Sequence, residues 1–155
     1  AMLDLKVQYF QDSPPAGRLY REEHFIRRHV QMELPVDQTA LVLVDLWDNH
    51  FIESWPERAD RITREAVVPV LHLLYAGFAT NWCILNRDYG MRAMAQRGYN
   101  MILLRDATMG VEFPDTLAAE TATEMAIREV EQQLGFSAAK DDFLAACVGH
   151  SKCVN

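Results

Sequence analysis

Residues 75–83 read Tyr-Ala-Gly-Phe-Ala-Thr-Asn-Trp-Cys, and residues 84–91 continue Ile-Leu-Asn-Arg-Asp-Tyr-Gly-Met. An apolar run with a glycine, then small and polar residues, then apolar residues at helical spacing predicts a strand that turns tightly into a helix. Cys83 lies where that helix begins. The unpaired N–H groups and dipole of a first helical turn favour a thiolate and can bind an oxyanion, so this turn could hold a nucleophile.

Cysteine usage leaves a second interpretation of Cys83 open. A free cysteine is often a small core residue, and from position alone the two interpretations are about equally supported. The three cysteines, Cys83, Cys147 and Cys153, are an odd number in a sequence without a leading apolar segment. This pattern predicts free thiols in a reducing, cytoplasmic protein.

Length and charge restrict the class of protein. The chain has 155 residues and a formal net charge of −7, which predicts one domain and argues against nucleic acid or an anionic membrane as partner. No apolar run is long enough to cross a bilayer. We expect a single domain, 1–155, with an N-terminal extension at 1–38, a core at 39–147 and a tail at 148–155. In the extension, 5–10 alternates like a short strand and 21–32 suits irregular structure or an edge strand used in subunit contacts.

The clearest strand is Thr39-Ala-Leu-Val-Leu-Val-Asp45, a continuous apolar run of the kind found in parallel sheets covered on both faces. It ends in an acid at the edge where α/β sheets bind ligands, so Asp45 is placed for catalysis, although capping the next turn is the simpler role. In the following loop, Asp48 and His50 are only two metal-ligand candidates, and Trp47 could line a pocket.

The join between the next helix and the strand at 73–78 lacks a turn. A helix from about Ala59 through Leu71 runs into this strand with no glycine, proline or asparagine between Leu71 and Leu73. We therefore expect that a middle segment is lacking near Leu71 and His72.

The remaining sequence alternates helix and strand. We expect a helix over 82–95, a strand over 99–106 in which Asp106 binds nearby backbone, and a loop over 108–114. A helix over 116–134, capped by Asp115 and stopped by Gly135, is followed by a short strand or helical turn at 142–147 and a frayed tail. This order predicts an α/β fold with three layers, α-β-α, and a mostly parallel central sheet.

Three segments together resemble the isochorismatase-like cysteine hydrolases, a superfamily that includes nicotinamidases and N-carbamoylsarcosine amidohydrolases. They are Val44-Asp45 at a strand end, the Gly77-x-Ala79-Thr80-x-x-Cys83 pattern entering a helix, and Gly98-Tyr99 before the strand that ends Asp106-Ala107-Thr108. The resemblance covers about 39–147.

The resemblance implies a site. Cys83 matches the nucleophile that forms a thioester acyl-enzyme, and Asp45 matches its general base. The Phe78–Ala79 bond matches a cis peptide, and the backbone amides of Ala79 and Cys83 would bind the oxyanion. Trp47 and Trp82 are candidate substrate-binding residues. We assign no metal and no cofactor.

The family's third catalytic residue, a lysine between the aspartate and the cysteine, has no counterpart. The lysines here are at 6, 140 and 152, and the missing turn near Leu71 falls in the same interval. Either the natural protein has a segment there that this sequence lacks, or a segment of about 30 residues or more has been deleted. A true deletion predicts little or no hydrolase activity.

The resemblance implies a hydrolase of non-peptide C–N bonds, an amidohydrolase for a small amide or carbamoyl compound, that forms homodimers or larger homo-oligomers. The alternative is a catalytically silent family member that serves as a binding or oligomer-scaffold protein. A vinyl ether hydrolase is a weaker option, since such relatives can dispense with the cysteine that this chain keeps.

Overall fold

The computed structural model describes residues 1–11, 13–44 and 72–153, with side chains up to residue 149. Its strands are β1 (Met2–Gln11), β2 (Ile26–Pro35), β3 (Thr39–Val44), β4 (His72–Phe78), β5 (Asn100–Met109) and β6 (Gly135–Ala138). Its α-helices are α1 (Met91–Gln96), α2 (Thr121–Glu129) and α3 (Lys140–Cys153). Two short π-helical segments, Thr80–Ile84 and Val130–Leu134, and three 3-10 turns, Glu22–His24, Val36–Gln38 and Leu117–Ala119, join them.

The described strands form one sheet in the order β2-β1-β6-β5-β4-β3. Strands β3, β4, β5 and β6 run parallel to one another, whereas β1 is antiparallel to both β2 and β6. The predicted α/β fold with a mostly parallel sheet is therefore confirmed. The antiparallel part comes from the N-terminal hairpin, in which Met2 pairs with Pro35 and Gln11 with Ile26.

Side chains of the central strands alternate between two cores, one on each face of the sheet. On one face Leu73 and Tyr75 pack with Met101 and Leu103 beneath the 80–85 turn, α1 and α2. On the other face Leu74 and Ala76 pack with residues of β1 and with the partly buried side chains of α3. Because strand residues point to opposite faces in turn, β4 and β5 must be apolar at nearly every position. The three-layer arrangement follows from this. No helix in the described ranges has the length and apolar character needed to span a membrane.

The N-terminal hairpin belongs to the core, so the expectation that 1–38 lies outside it is wrong. Leu3, Leu5 and Val7 of β1 are buried, and Leu5 is fully inaccessible. The predicted short strand is the inner part of a ten-residue strand. Strand β2 lies at the sheet edge, in agreement with one of the two structures expected for 21–32.

A buried carboxylate attaches this hairpin to the rest of the fold. The side chain of Glu131 is fully buried and accepts hydrogen bonds from Gln8 Nε2 at 2.7 Å, Arg27 Nε at 2.7 Å and Ser137 Oγ at 2.8 Å. Arg27 also reaches Glu124, with Nη2 2.6 Å from Oε1. Partial burial alone would lower the pKa of Arg27, but the hydrogen bonds and charges of Glu124 and Glu131 outweigh it and raise that pKa. Strands β1, β2 and β6 thus meet at one carboxylate.

The helix expected over 82–95 is interrupted, which corrects the prediction. Its first turns end at Asn86, and α1 starts at Met91 after a bend at 87–90. Tyr75 stabilises the bend, because its buried hydroxyl donates to the Tyr89 carbonyl oxygen at 2.6 Å. Burial raises the pKa of Tyr75, so the hydroxyl stays a donor at neutral pH. Gly90 has no room for a side chain, since a Cβ would lie 2.8 Å from Arg87 N.

The C-terminal third differs from the prediction in three places. Helix α2 starts at Thr121 instead of Thr116, because Glu120 adopts a left-handed conformation with φ 49°. Gly135, expected only to stop that helix, begins β6, a strand that the sequence analysis missed. The short element and frayed tail expected at 142–155 are one helix, α3, as far as Cys153. Asp106 binds backbone as predicted: its Oδ1 accepts from the Lys140 N–H at 2.7 Å.

Glu112, not Asp115, caps α2. Its carboxylate accepts from the backbone N–H of Ala122 at 3.0 Å and of Thr123 at 2.8 Å, and from the Thr123 hydroxyl at 2.7 Å. A carboxylate at these unpaired amides also interacts favourably with the helix dipole. Desolvation would raise the pKa of Glu112, but these bonds and one from the Thr116 hydroxyl outweigh it and lower the pKa from 4.5 to about 2.

The contacts of buried Glu131 predict that Arg27 and Arg128, which both pair with Glu124, contribute unequally to the free energy of unfolding. Arg27→Met should lower the free energy of unfolding by about 3 kcal/mol or more, because it leaves the buried Glu131 carboxylate without its cation. Arg128 is 51% exposed and pairs with Glu124 at 3.0 Å, so Arg128→Met should cost about 0.5 kcal/mol or less. Urea unfolding followed by circular dichroism measures both values. Equal losses of unfolding free energy in the two variants would contradict the conclusion that Glu131 attaches the N-terminal hairpin through Arg27.

The Glu112 cap predicts a pH-dependent stability. Because folding lowers the pKa of Glu112, its contribution is complete above the unfolded pKa, near 4.5, and is lost as the pH falls toward 2. Glu112→Gln should therefore have a lower urea midpoint than the wild type at pH 7, and the difference should shrink between pH 5 and pH 3. Glu22→Gln, in the first 3-10 turn, is the matched control. A difference that stays constant with pH would show that the carboxylate charge does not contribute.

Candidate active site

The segment predicted to carry the nucleophile forms a wide helical turn directly after β4. We call residues Thr80–Ile84 the cysteine turn. The Ala79 carbonyl oxygen accepts from the N–H of Trp82 at 3.1 Å and from that of Ile84 at 3.1 Å. The second bond spans five residues and so widens the turn around Cys83, a geometry that is frequent at functional sites. The peptide bond between Phe78 and Ala79 is cis, as the family resemblance implies.

Gly77 brings the end of β3 against the start of this turn. Val44 pairs with Gly77 in the parallel register of β3 and β4. Gly77 has φ 115°, and a Cβ there would overlap the Val44 carbonyl oxygen. Only glycine satisfies both conditions without strain. The carboxyl end of β3 and the cysteine turn therefore lie side by side, at the side of the sheet where the parallel strands have their carboxyl ends.

The Cys83 side chain is half-buried and free of disulfide bonds. It packs against the core that contains Ile84 and Leu85, and its role as nucleophile stays a prediction. Trp82, a candidate substrate-binding residue, is 55% exposed. Ala79 precedes the turn in extended conformation, so the two amides proposed for the oxyanion hole, those of Ala79 and Cys83, lie at its two ends.

Several predicted site residues fall outside the described residues. Asp45, Trp47, Asp48 and His50 belong to the interval 45–71, together with the helix from Ala59 and Leu71 of the abrupt join. Their roles stay predictions. Within the ranges that the structure describes, no three histidine, cysteine, aspartate or glutamate side chains are grouped to hold a metal ion.

The sequence analysis missed the polar contacts between the cysteine turn and the loop after β5. Asn81 binds the backbone of Val111 through both atoms of its carboxamide, at 2.9 Å each. Thr80 Oγ1 lies 2.7 Å from Thr108 Oγ1. Asparagine often binds backbone in turns, and that tendency is the signal that could have singled out Asn81. These contacts place the loop beside the cysteine turn.

A groove of about 570 Å³ lies on the outer side of the turn, between Asn81, Leu85 and residues of α2. The charged side chains in its lining are paired with neighbours, for example Arg92 with Glu129 at 2.5 Å. Cys83 is not part of the lining. The groove is therefore separate from the candidate nucleophile.

Comparison with known proteins finds similarity in structure but not in sequence. No protein-family model and no curated protein sequence matches this chain. The chain is similar in structure to a cysteine hydrolase from Pseudomonas syringae pv. phaseolicola 1448A, with 20% sequence identity and a TM-score of 0.45. The match covers 59% of this chain and 42% of the hydrolase. This chain thus spans less than half the length of the cysteine hydrolase that its fold is similar to.

Proposed function

We propose that this protein is a cysteine hydrolase that cleaves a C–N bond in a small amide or carbamoyl substrate. The observation that carries the proposal is the position of Cys83: a half-buried free thiol on a widened turn, at the sheet edge where β3 ends. In α/β sheets, ligands bind at this edge. Asp45 is the next residue in the chain after Val44, which pairs with Gly77 three residues before the turn.

The proposed reaction has two halves. Asp45 takes the proton of the Cys83 thiol, and the sulfur attacks the substrate carbonyl carbon, whose oxygen becomes an oxyanion bound by the amides of Ala79 and Cys83. The C–N bond then breaks, the amine leaves with the proton from Asp45, and a thioester forms. Water, deprotonated by Asp45, attacks the thioester, and the acid leaves as the thiol regains a proton. Loss of one oxyanion donor costs about 2.7–4 kcal/mol in other hydrolases.

The catalytically silent protein is the second candidate, and one observation favours it. The interval between Asp45 and Cys83 contains no lysine, so the cation that the family resemblance implies has no counterpart there. Without it, an aspartate and a thiolate would face each other with no positive charge to offset their repulsion. A binding or scaffold role then needs the fold and not the reactive sulfur.

Turnover and thiol labelling separate the two candidates. Purified protein is incubated with a panel of small primary amides and carbamoyl compounds, and ammonia release is measured. Cys83→Ala should reduce the release by several orders of magnitude while the circular dichroism spectrum stays the same, since it removes the nucleophile. Cys147→Ala is the matched control, because Cys147 is a half-buried cysteine outside any disulfide bond that packs on the opposite face of the sheet. It should keep full activity.

The labelling arm uses iodoacetamide at pH 6 and reads the modified peptides by mass spectrometry. Faster labelling of Cys83 than of Cys147 supports a nucleophile, since reactive cysteines are activated by their surroundings. Turnover that persists in Cys83→Ala would end the proposed mechanism. Equal labelling of the two thiols, with no ammonia from any substrate, would favour the silent protein.

A further inference from the structure

One side chain joins the cysteine turn to a separate loop. The loop Gly110–Thr116 connects β5 to the 3-10 turn before α2. Asn81 Nδ2 donates to the Val111 carbonyl oxygen at 2.9 Å, and Asn81 Oδ1 accepts from the Val111 N–H at 2.9 Å. A single planar carboxamide thus satisfies both backbone groups of one residue, as a neighbouring strand would.

The loop approaches the turn so closely that even a Cβ on Gly110 would displace its neighbours. A Cβ on Gly110 would lie 3.0 Å from Asn81 Oδ1 and 3.0 Å from Thr123 Oγ1. Gly110 is buried, so a larger residue there would push one of these groups away. The contact between loop and turn is therefore a tight fit and not a chance approach of two exposed segments.

The far side of the loop is held by α2. The Gly110 N–H donates to Thr123 Oγ1 at 2.9 Å, and the same hydroxyl donates to Glu112 Oε1 at 2.7 Å. Glu112 in turn caps the first amides of α2. The hydrogen bonds form a continuous path from the helix through the loop to Asn81, two residues before Cys83. These contacts hold the loop between α2 and the cysteine turn.

We propose that Asn81 is a positioning residue, whose bonds to Val111 hold the backbone of the cysteine turn and so fix the direction of the Cys83 sulfur and amide. The inference rests on the proposed function only for its turnover readout. Asn81 contacts backbone, not reacting atoms. Its effect passes through the turn, where small displacements of a reacting group cost large factors in rate.

The carboxamide is needed because it is donor and acceptor at once. In Asn81→Leu both bonds to Val111 are lost while the branched shape of the side chain is kept. In Asn81→Asp the ionised carboxylate can still accept from the Val111 N–H, but its second oxygen faces the Val111 carbonyl oxygen with no proton between them. Protonation supplies that proton, so the aspartate variant should recover as the pH falls toward 4, near the ordinary pKa of aspartate.

Hydrogen exchange tests the link without any substrate. In Asn81→Leu, the amides of 79–84 and of 110–113 should both exchange about tenfold faster at pH 7, as expected for the loss of one or two hydrogen bonds. In Asn81→Asp, the same amides should exchange faster than in the wild type at pH 7, and the ratio should approach one at pH 4. Asn86→Ala is the matched control. Asn86 lies in the helical segment that directly follows the cysteine turn, and its Nδ2 donates to the Asn81 carbonyl oxygen at 3.0 Å. It should leave 110–113 unchanged.

Two readouts test positioning itself. The labelling rate of Cys83 by iodoacetamide, divided by that of Cys147 in the same molecules, should fall in Asn81→Leu and stay constant in Asn86→Ala. If the wild type turns over an amide, kcat in Asn81→Leu should fall by roughly 10²-fold with KM within a factor of about three. If the amides of 79–84 and 110–113 exchange at the wild-type rate in Asn81→Leu, Asn81 does not link the turn to the loop. If the ratio of Cys83 to Cys147 labelling is the same in Asn81→Leu as in the wild type, Asn81 does not position Cys83. Absence of turnover in the wild type counts against the proposed function alone, since exchange and labelling still decide the role of Asn81.

Discussion

The close approach of β3 and β4 at Gly77 is the constraint on which the candidate site depends. Its positive φ and the contact of its backbone with the Val44 carbonyl both exclude a side chain. At the same point the pairing of β4 with β5 changes register: Tyr75 lies opposite Leu103, but Gly77 lies opposite Thr108. The extra residues of β5 form a bulge, a device that proteins use near active sites to redirect a strand. The chain leaves the sheet there and enters the cysteine turn.

Two carboxylates hold the surroundings of that turn, and each acts over a long sequence distance. Glu131 connects to Gln8, 123 positions away, and to Arg27, 104 positions away. Glu112 caps amides ten and eleven positions further along and, through Thr123, fixes Gly110. Neither role has a local sequence signal, because a glutamate in an amphipathic helix and one in a polar loop are both usually solvated. Burial and hydrogen bonding in the folded chain determine what they do.

Elements with a strong local pattern could be predicted from the sequence. Strands β3 and β4 are continuous apolar runs, and Asp106 binds backbone as expected of an acid after a buried run. The strand itself continues past Asp106 to Met109, beyond its expected end. Strand β6 could not be found in this way. It has only four residues, begins with glycine and owes its pairing to β5 on one side and β1 on the other. The break at 87–90 depends on the Tyr75 hydroxyl, a tertiary contact that helix propensity does not contain.

For the site, sequence pattern predicted Cys83 and its turn, while the supporting contacts were found only in three dimensions. The Gly-x-Ala-Thr-x-x-Cys spacing describes local backbone, and local backbone is what the structure reproduces. Asn81 lies inside that pattern, yet its partner Val111 is 30 positions away. A motif therefore indicates where a nucleophile lies but not what holds it in place.

The position of β3 bears on the choice between enzyme and silent protein. Within the described sheet β3 is an edge strand, although its sequence is the uncharged apolar type found inside parallel sheets. Leu41 and Leu43 are 47% and 56% exposed, whereas the other edge, β2, carries Arg27, Arg28 and Glu33, charges that protect an edge from pairing. Sequence character and position thus disagree at β3, which directly precedes the interval where the turn and the lysine are lacking. A segment that covered β3 would remove the disagreement and could supply the cation beside Asp45 and Cys83. The exposed strand and the missing cation are then two consequences of one gap, and the proposed catalysis depends on whether that gap is filled.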